Sequence, residues 1–155
     1  MPGPEDTGQA RACAVFPHRA AVDTRWGDND VYGHINNAVY YQYFDSVINA
    51  YLIEQGGLDI HDSDIVGFIV HSECDYLAPV AYPGRLEVGV AVERLGNSSV
   101  TYRLGLFDPR AARPDEPCAL ARMVHVFVQR ADSRPVALPE ALRQALQALQ
   151  LPEAS

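Results

Sequence analysis

One stretch limits the folds open to this chain more than any other. From Asn37 to Gln55 the residues Tyr40, Phe44, Val47, Ile48, Tyr51 and Leu52 recur at spacings of three and four, and Gly56 and Gly57 follow. That is the period of an α-helix with a stop behind it. Val39, Tyr43 and Ile53 widen the apolar stripe, so the helix needs cover on more than one side and belongs at the centre of its domain.

The cover has to be sheet, because the rest of the chain runs at period two. From His18 to Trp26, Ala20, Val22 and Trp26 fall on one side and Arg19, Asp23 and Arg25 on the other, as in a half-buried strand. Four more strand-like runs follow the helix: Ile65 to Leu77, Arg85 to Leu95, Val100 to Phe107 and Ala119 to Arg130, each bounded by Pro, Gly, Asn or Asp. The second sets Leu86, Val88, Val90 and Val92 against Glu87, Gly89, Ala91 and Glu93. The third sets Val100, Tyr102, Leu104 and Leu106 against Thr101, Arg103 and Gly105. In the last, Leu120, Val124, Val126 and Val128 form the packing face, and Met123, His125 and Gln129 the wetter one. Tight turns such as Gly96–Asn97 favour hairpins, so the sheet is antiparallel and the class is α+β. A short amphipathic helix from Pro139 to Gln150 closes the pattern, with Pro in its first turn. Residues 1–15 read as a disordered leader, 16–155 as a single domain, and Asp108 to Pro117 as a mobile polar loop.

With 155 residues the chain can bury about 70% of its unfolded surface and needs no staples. Its 20 acidic groups against 12 basic ones, all Arg, give a net charge of -8. That argues against nucleic acid and against an anionic membrane surface as partners. Cys13, Cys74 and Cys118 form no C-x-x-C pair and read as reduced thiols. Met1 to Ala10 lacks the basic and apolar parts of a signal peptide, and no run approaches the roughly 18 apolar residues of a membrane span. A cytoplasmic location without membrane insertion is the resulting expectation.

The chemistry concentrates in Trp26 to Asn37, W-G-D-N-D-V-Y-G-H-I-N-N, where two carboxylates, an imidazole and several amides lead into the central helix. Unpaired N–H groups in a first helical turn carry partial positive charge and hold anions or oxyanions. Asp and Asn are also ordinary caps and Gly33 an ordinary bend, so a well-made helix start accounts for the same residues. Asp28, Asp30 and Gly33 fit three places of a calcium loop, but Tyr32 and Val39 stand where oxygen ligands belong, which excludes it. His34 has no second histidine at metal-binding spacing. No metal and no organic cofactor is expected.

Read as D-x-D-x-x-G-H-x-N-N-x-x-Y-Y, the same stretch resembles the hotdog-fold thioesterases of the 4-hydroxybenzoyl-CoA type, and also acyl-CoA and acyl-carrier-protein thioesterases that carry an H-V-N-N element. Asp75-Tyr76-Leu77-Ala78-Pro79 with Pro83-Gly84, and Glu93 to Val100, are similar to later family segments in the same order, so the resemblance spans about Val22 to Gln129. It implies a long central helix wrapped by a five-stranded antiparallel sheet. It also implies a homodimer joined at sheet edges with active sites at the interface, paired into a homotetramer in many relatives. The implied activity is hydrolysis of an acyl-CoA or acyl-carrier-protein thioester without a cofactor.

By that resemblance Asp30 is the catalytic carboxylate, attacking the thioester carbonyl or activating water. The Asn37 N–H, joined by that of Asn36, holds the developing oxyanion, where one lost donor raises a barrier by about 3 kcal/mol. His34 matches a site residue in the H-V-N-N relatives, whereas an apolar residue stands there in the 4-hydroxybenzoyl type. Polarising the carbonyl, assisting the thiol and bracing the loop all remain open for it. Tyr32 and Phe68, with Tyr40 and Tyr41, are acyl-wall candidates, and core packing explains Tyr40 as well. Arg94, Asn97 and Ser98 match the hairpin that meets CoA phosphates in relatives. His71, Ser72 and Glu73 lie on the strand that in relatives faces the neighbouring subunit's Asp loop, so the resemblance places one of them within reach of the site in trans. His18 and His61 read as structural or solvated. No G-x-S-x-G element is present, and Cys74 lies between two acids that disfavour a thiolate. Two other functions share this frame: an enoyl-thioester hydratase using Asp and His together, and a non-catalytic acyl-thioester binder.

Overall fold

The computed structural model describes residues 16–151, so the leader expected over residues 1–15 lies outside the described part. Five strands form one antiparallel sheet: β1 (His18–Asp23), β2 (Ile65–Tyr76), β3 (Arg85–Leu95), β4 (Ser99–Phe107) and β5 (Ala119–Gln129), in the order β1-β3-β4-β5-β2. The long helix α1 covers Asn37–Glu54 and the short α2 covers Glu140–Gln147. This is the hotdog arrangement, with α1 laid across one face of the sheet.

Alternation explains most of the core. Leu86, Val88, Val90 and Val92 of β3 and Val100, Tyr102, Leu104 and Leu106 of β4 are all buried, beneath Tyr40, Phe44, Val47, Ile48, Tyr51 and Leu52 of α1. The opposite face is sealed in part too. A Cβ on Gly89 would lie 2.6 Å from the Phe16 ring and one on Gly105 2.9 Å from it, so the two glycines make room for Phe16 to pack beside Ala91 and edge-on against Phe107. α2 adds Leu142, Ala145 and Leu146 to the main core. Ile53, counted in the helix stripe, is exposed.

Two readings of strand faces require correction. In β5 the set buried toward α1 is Ala119, Ala121, Met123, His125 and Phe127, whereas Leu120, Val124 and Val126 are half-buried and Val128 is buried at the end of the strand. The space beneath α1 takes small and shaped side chains here, and His125 is admitted because the Tyr102 hydroxyl lies 3.0 Å from its Nδ1. In β1 the alternation stops at Asp23. Thr24 turns the chain by donating its N–H and its hydroxyl to the Gly84 carbonyl, and Trp26 opens a short 3-10 turn with its ring in solvent.

The two sheet edges differ. β1 is short, whereas β2 runs the full Ile65–Tyr76 with β5 as its single neighbour and a register slip between Ile69 and His71. Phe68, Ile69, Val70 and Tyr76 on this open edge are exposed. Asp108 to Pro117 forms turns, and Arg110 ties it to the Pro83 carbonyl at 2.6 Å. Among the described residues no helix is long and apolar enough to cross a membrane.

Candidate active site

The loop between β1 and α1 is a miniature hairpin. Asn29 pairs with Ile35 as an isolated antiparallel bridge. Asp30 donates its N–H to the His34 carbonyl at 2.9 Å, and Gly33 returns its N–H to the Asp30 carbonyl at 3.1 Å. Gly33 has φ of +84°, a conformation that glycine adopts without strain. At the tip Asp30 Oδ1 accepts the Tyr32 N–H at 2.8 Å, an Asx turn that fixes the carboxylate relative to its own loop.

The base of the hairpin is fastened to two neighbours. Asn29 accepts the Tyr82 N–H at 3.0 Å and donates to the Tyr82 carbonyl at 3.4 Å, and Ile35 donates to the Val80 carbonyl at 2.8 Å. Asn36 caps α1 by accepting the Ala38 N–H at 2.9 Å. The Asn37 carbonyl accepts the Tyr76 hydroxyl at 3.0 Å, which holds the first turn of α1 against the end of β2. The Asn37 N–H meets no acceptor among the described residues.

Asp28 and Asp30 are separated by one residue and by their surroundings. Asp28 is 2% exposed. Its Oδ2 accepts the Tyr43 hydroxyl at 2.6 Å and the Arg25 N–H at 2.9 Å, and its Oδ1 lies 3.4 Å from the Arg25 guanidinium. Burial by itself would push this carboxyl up. The Tyr43 hydroxyl, the Arg25 N–H and the Arg25 charge together outweigh it and hold Asp28 below the usual carboxylate range. Burial, then the hydrogen bond to Asp28 and its charge, push the Tyr43 phenol up. Asp30 instead lines an open groove of about 770 Å³ with Trp26, Val31, Tyr32 and Asn36. Trp26, Val31 and Tyr32 are 78%, 95% and 84% exposed, so the groove has an apolar rim around a carboxylate. An ionised carboxylate beside a helix start with an unused N–H can deliver an oxygen nucleophile, or activate water, where an oxyanion is stabilised.

The structure gathers only part of the expected set. Asp30, Tyr32 and Asn36 line the groove, and Asn37 starts the helix behind it. The Asn36 N–H, expected as a second oxyanion donor, is spent on the Asp28 carbonyl at 2.9 Å. His34 meets Asp30 only through main-chain atoms; its imidazole is exposed and has no hydrogen-bond partner among the described residues. Tyr40 is buried in the core, stacked edge-on against Tyr76.

Phe68 pairs with Val126 on the sheet face away from α1, roughly 25 Å along β2 from Tyr76 at about 3.3 Å per residue. Arg94, Asn97 and Ser98 sit at the far end of β3, roughly 30 Å from Arg85 on the same scale, whereas the loop packs at the near end. Within one chain, then, neither Phe68 nor the hairpin reaches Asp30. His71 and Glu73, 3.4 Å apart, share the outer face with Phe68, and Ser72 points to the α1 side. Burial, together with the neighbouring Asp75 charge, pushes the Cys74 thiol up to about 11, which disfavours it as a nucleophile. Among the described residues no group of three or more His, Cys, Asp or Glu is placed to hold a metal.

Sequence reasoning missed Trp26 as a rim residue, Asn29 as the clip on Tyr82, and Tyr43 as the partner of Asp28. The Asn between two acids carried a weak signal as a turn former; nothing in the pattern links Asp28 to Tyr43.

A central helix wrapped by this sheet, opening on a carboxylate loop, defines the class as hotdog and thioesterase-like. Residues 24–146 match the model of the thioesterase-like superfamily, and the chain belongs to that family. It is 56% identical to the PA5185 protein of Pseudomonas aeruginosa strain PAO1, with a TM-score of 0.83 over 87% of this chain and 92% of that one. It is 30% identical to a thioesterase from Thermus thermophilus solved with coenzyme A and Zn, with a TM-score of 0.71 over 86% and 99%. A 1,4-dihydroxy-2-naphthoyl-CoA hydrolase of Synechococcus elongatus is 28% identical over 127 residues, 79% of this chain and 90% of the relative.

Proposed function

We propose that this protein hydrolyses an acyl-CoA thioester, adding water across the carbonyl–sulfur bond to give a free acid and CoA thiol. Asp30 supplies the attacking oxygen or draws a proton from the water that does. The Asn37 N–H receives the carbonyl oxygen as negative charge develops on it. The observation that carries this reading is the Asp30 carboxylate on the wall of an open groove beside a helix start whose first N–H has no acceptor among the described residues. The coenzyme A seen with the Thermus thioesterase and the CoA ester named for the Synechococcus relative favour CoA over a carrier protein as the thiol.

The working unit is a homo-oligomer. The long β2 edge with its exposed apolar residues needs a partner, and because Arg94, Asn97 and Ser98 lie at the opposite end of β3 from the loop, any CoA contact from that hairpin is assigned to another copy. Free thiol is measured on wild type, Asp30→Asn and Asp28→Asn across acyl-CoA chain lengths, with oligomer mass read by light scattering. Thiol release by wild type and a fall of about a hundredfold or more in folded Asp30→Asn fit the reading. Equal rates in wild type and Asp30→Asn remove Asp30 from the reaction. Hydration of an enoyl-CoA without thiol release replaces hydrolysis by water addition.

A further inference from the structure

The loop that carries Asp30 hangs from Asp28. Besides the three donors on its carboxylate, Asp28 gives its N–H to the Arg25 carbonyl at 2.9 Å and takes the Asn36 N–H on its own carbonyl at 2.9 Å. Arg25 follows the end of β1, Asn36 is the cap of α1, and Tyr43 stands about two turns inside α1. One buried residue thus joins strand end, helix cap and helix body on either side of Asp30. A carboxylate suits the place because both of its oxygens only accept. Asn would turn an NH2 toward one of the donors, and an unmet buried donor costs about 1–3 kcal/mol.

We propose that Asp28 is a positioning residue for the hydrolysis: through Tyr43 and Asn36 it sets where the Asp30 carboxylate stands relative to the Asn37 N–H. The inference rests on the roles assigned to Asp30 and Asn37 above. Misplacing a reacting group by about 1 Å can cost a hundredfold in rate, so the latch acts on turnover rather than on substrate affinity. A residue that only stabilises the fold would instead lower the unfolding temperature and leave turnover per folded molecule unchanged.

The test uses the full chain and the acyl-CoA that wild type cleaves fastest. Tyr43→Phe and Asp28→Asn are each made alone and combined with Asp30→Asn, and assayed well below their unfolding temperatures. Each single variant is expected to lose about tenfold or more in kcat with KM within about threefold, and the same change on Asp30→Asn to cost under about threefold, because the two residues act as one unit. Amide exchange at Asn36 is expected to quicken in both. Tyr43→Phe removes one hydroxyl and keeps the ring, so it carries the test if Asp28→Asn does not fold. A loss carried by KM, or an equal loss with and without Asp30, overturns the proposal. Unchanged exchange at Asn36 in Tyr43→Phe overturns the latch by itself. An inactive wild type, or an unimpaired Asp30→Asn, overturns the assigned reaction and with it the hydrolytic role of the latch.

Discussion

Two of the polar clusters that meet α1 are built to opposite ends. In residues 24–36 polar groups clip a loop to β1, α1 and the Tyr82 turn, leaving one carboxylate on a groove and one helix N–H unused. Beneath α1, Tyr102 and His125 meet at 3.0 Å with their rings nearly perpendicular, and His125 is 3% exposed. That second pair is buried and lines no groove. Burial of a titratable group and access to a groove are therefore separate properties in this chain. What sets the loop apart from the buried pair is a carboxylate on a groove beside an N–H with no acceptor among the described residues.

The comparison breaks if Asp30 can be neutralised without consequence. Asp30→Asn keeps an oxygen for the Tyr32 N–H, so its unfolding temperature is expected within about 2 °C of wild type. Its thiol-release rate is expected to fall about a hundredfold or more, some 3 kcal/mol of barrier. A destabilised variant with normal specific activity would show the carboxylate to be a loop brace.

The next effect falls on the sealed pair and on stability alone. Burial pushes the His125 imidazole down to about 4 from an ordinary value of 6.5. Above pH 7 the ring is neutral whether folded or unfolded, and it contributes no pH dependence. As pH drops through 6.5 the unfolded chain takes up a proton that the folded chain refuses, so stability declines until the folded ring also titrates near 4. The full loss is about 3 kcal/mol. The faces around the ring hold Tyr102 and Phe127, and the Asp45 charge acts on Tyr102. Urea unfolding between about pH 7.5 and 4.5 is expected to show a shallower decline in His125→Gln, by most of that amount. Parallel curves would mean that His125 titrates freely.

How much of this was legible in the sequence follows the same divide. Period placed α1 and all five strands within a few residues, because apolar spacing reflects burial directly. It failed in β5, where Val124 and Val126 outrank Ala121 and His125 on any apolar scale, although the face toward α1 carries Ala121 and the hydrogen-bonded His125 alongside Met123 and Phe127. It carried β1 on to Trp26 because alternation does not register the turn that Thr24 makes on Gly84. In the loop, Asp30 stood out through the D-x-D-x-x-G-H pattern. The role of Asp28 stayed hidden, since its partner Tyr43 lies on another element and the pairing exists only after folding. Phe68 lies on the face away from α1, which the sequence left open because an aromatic residue does not announce which sheet face it takes.

Two smaller effects sharpen the contrast. Tyr102→Phe removes the only hydroxyl that meets His125 Nδ1 among the described residues and is expected to cost about 1–2 kcal/mol of stability. Because the pair is closed off from the groove, thiol release is expected within about twofold of wild type. Arg122 gives the smallest effect. Its guanidinium lies 2.9 Å from Glu93 and 3.6 Å from Glu73 on the outer sheet face, a bridge with the same chemistry as Arg25 and Asp28. Asp28 is sealed and has Tyr43 behind it, whereas both partners of Arg122 stand in water that screens them. Arg122→Gln is therefore expected to change stability by less than about 1 kcal/mol, and by still less in high salt. Urea unfolding at low and high ionic strength checks this. A larger loss that persists in salt would mean that this face is covered in the assembled protein, and that its charges belong with the sealed groups rather than the open ones.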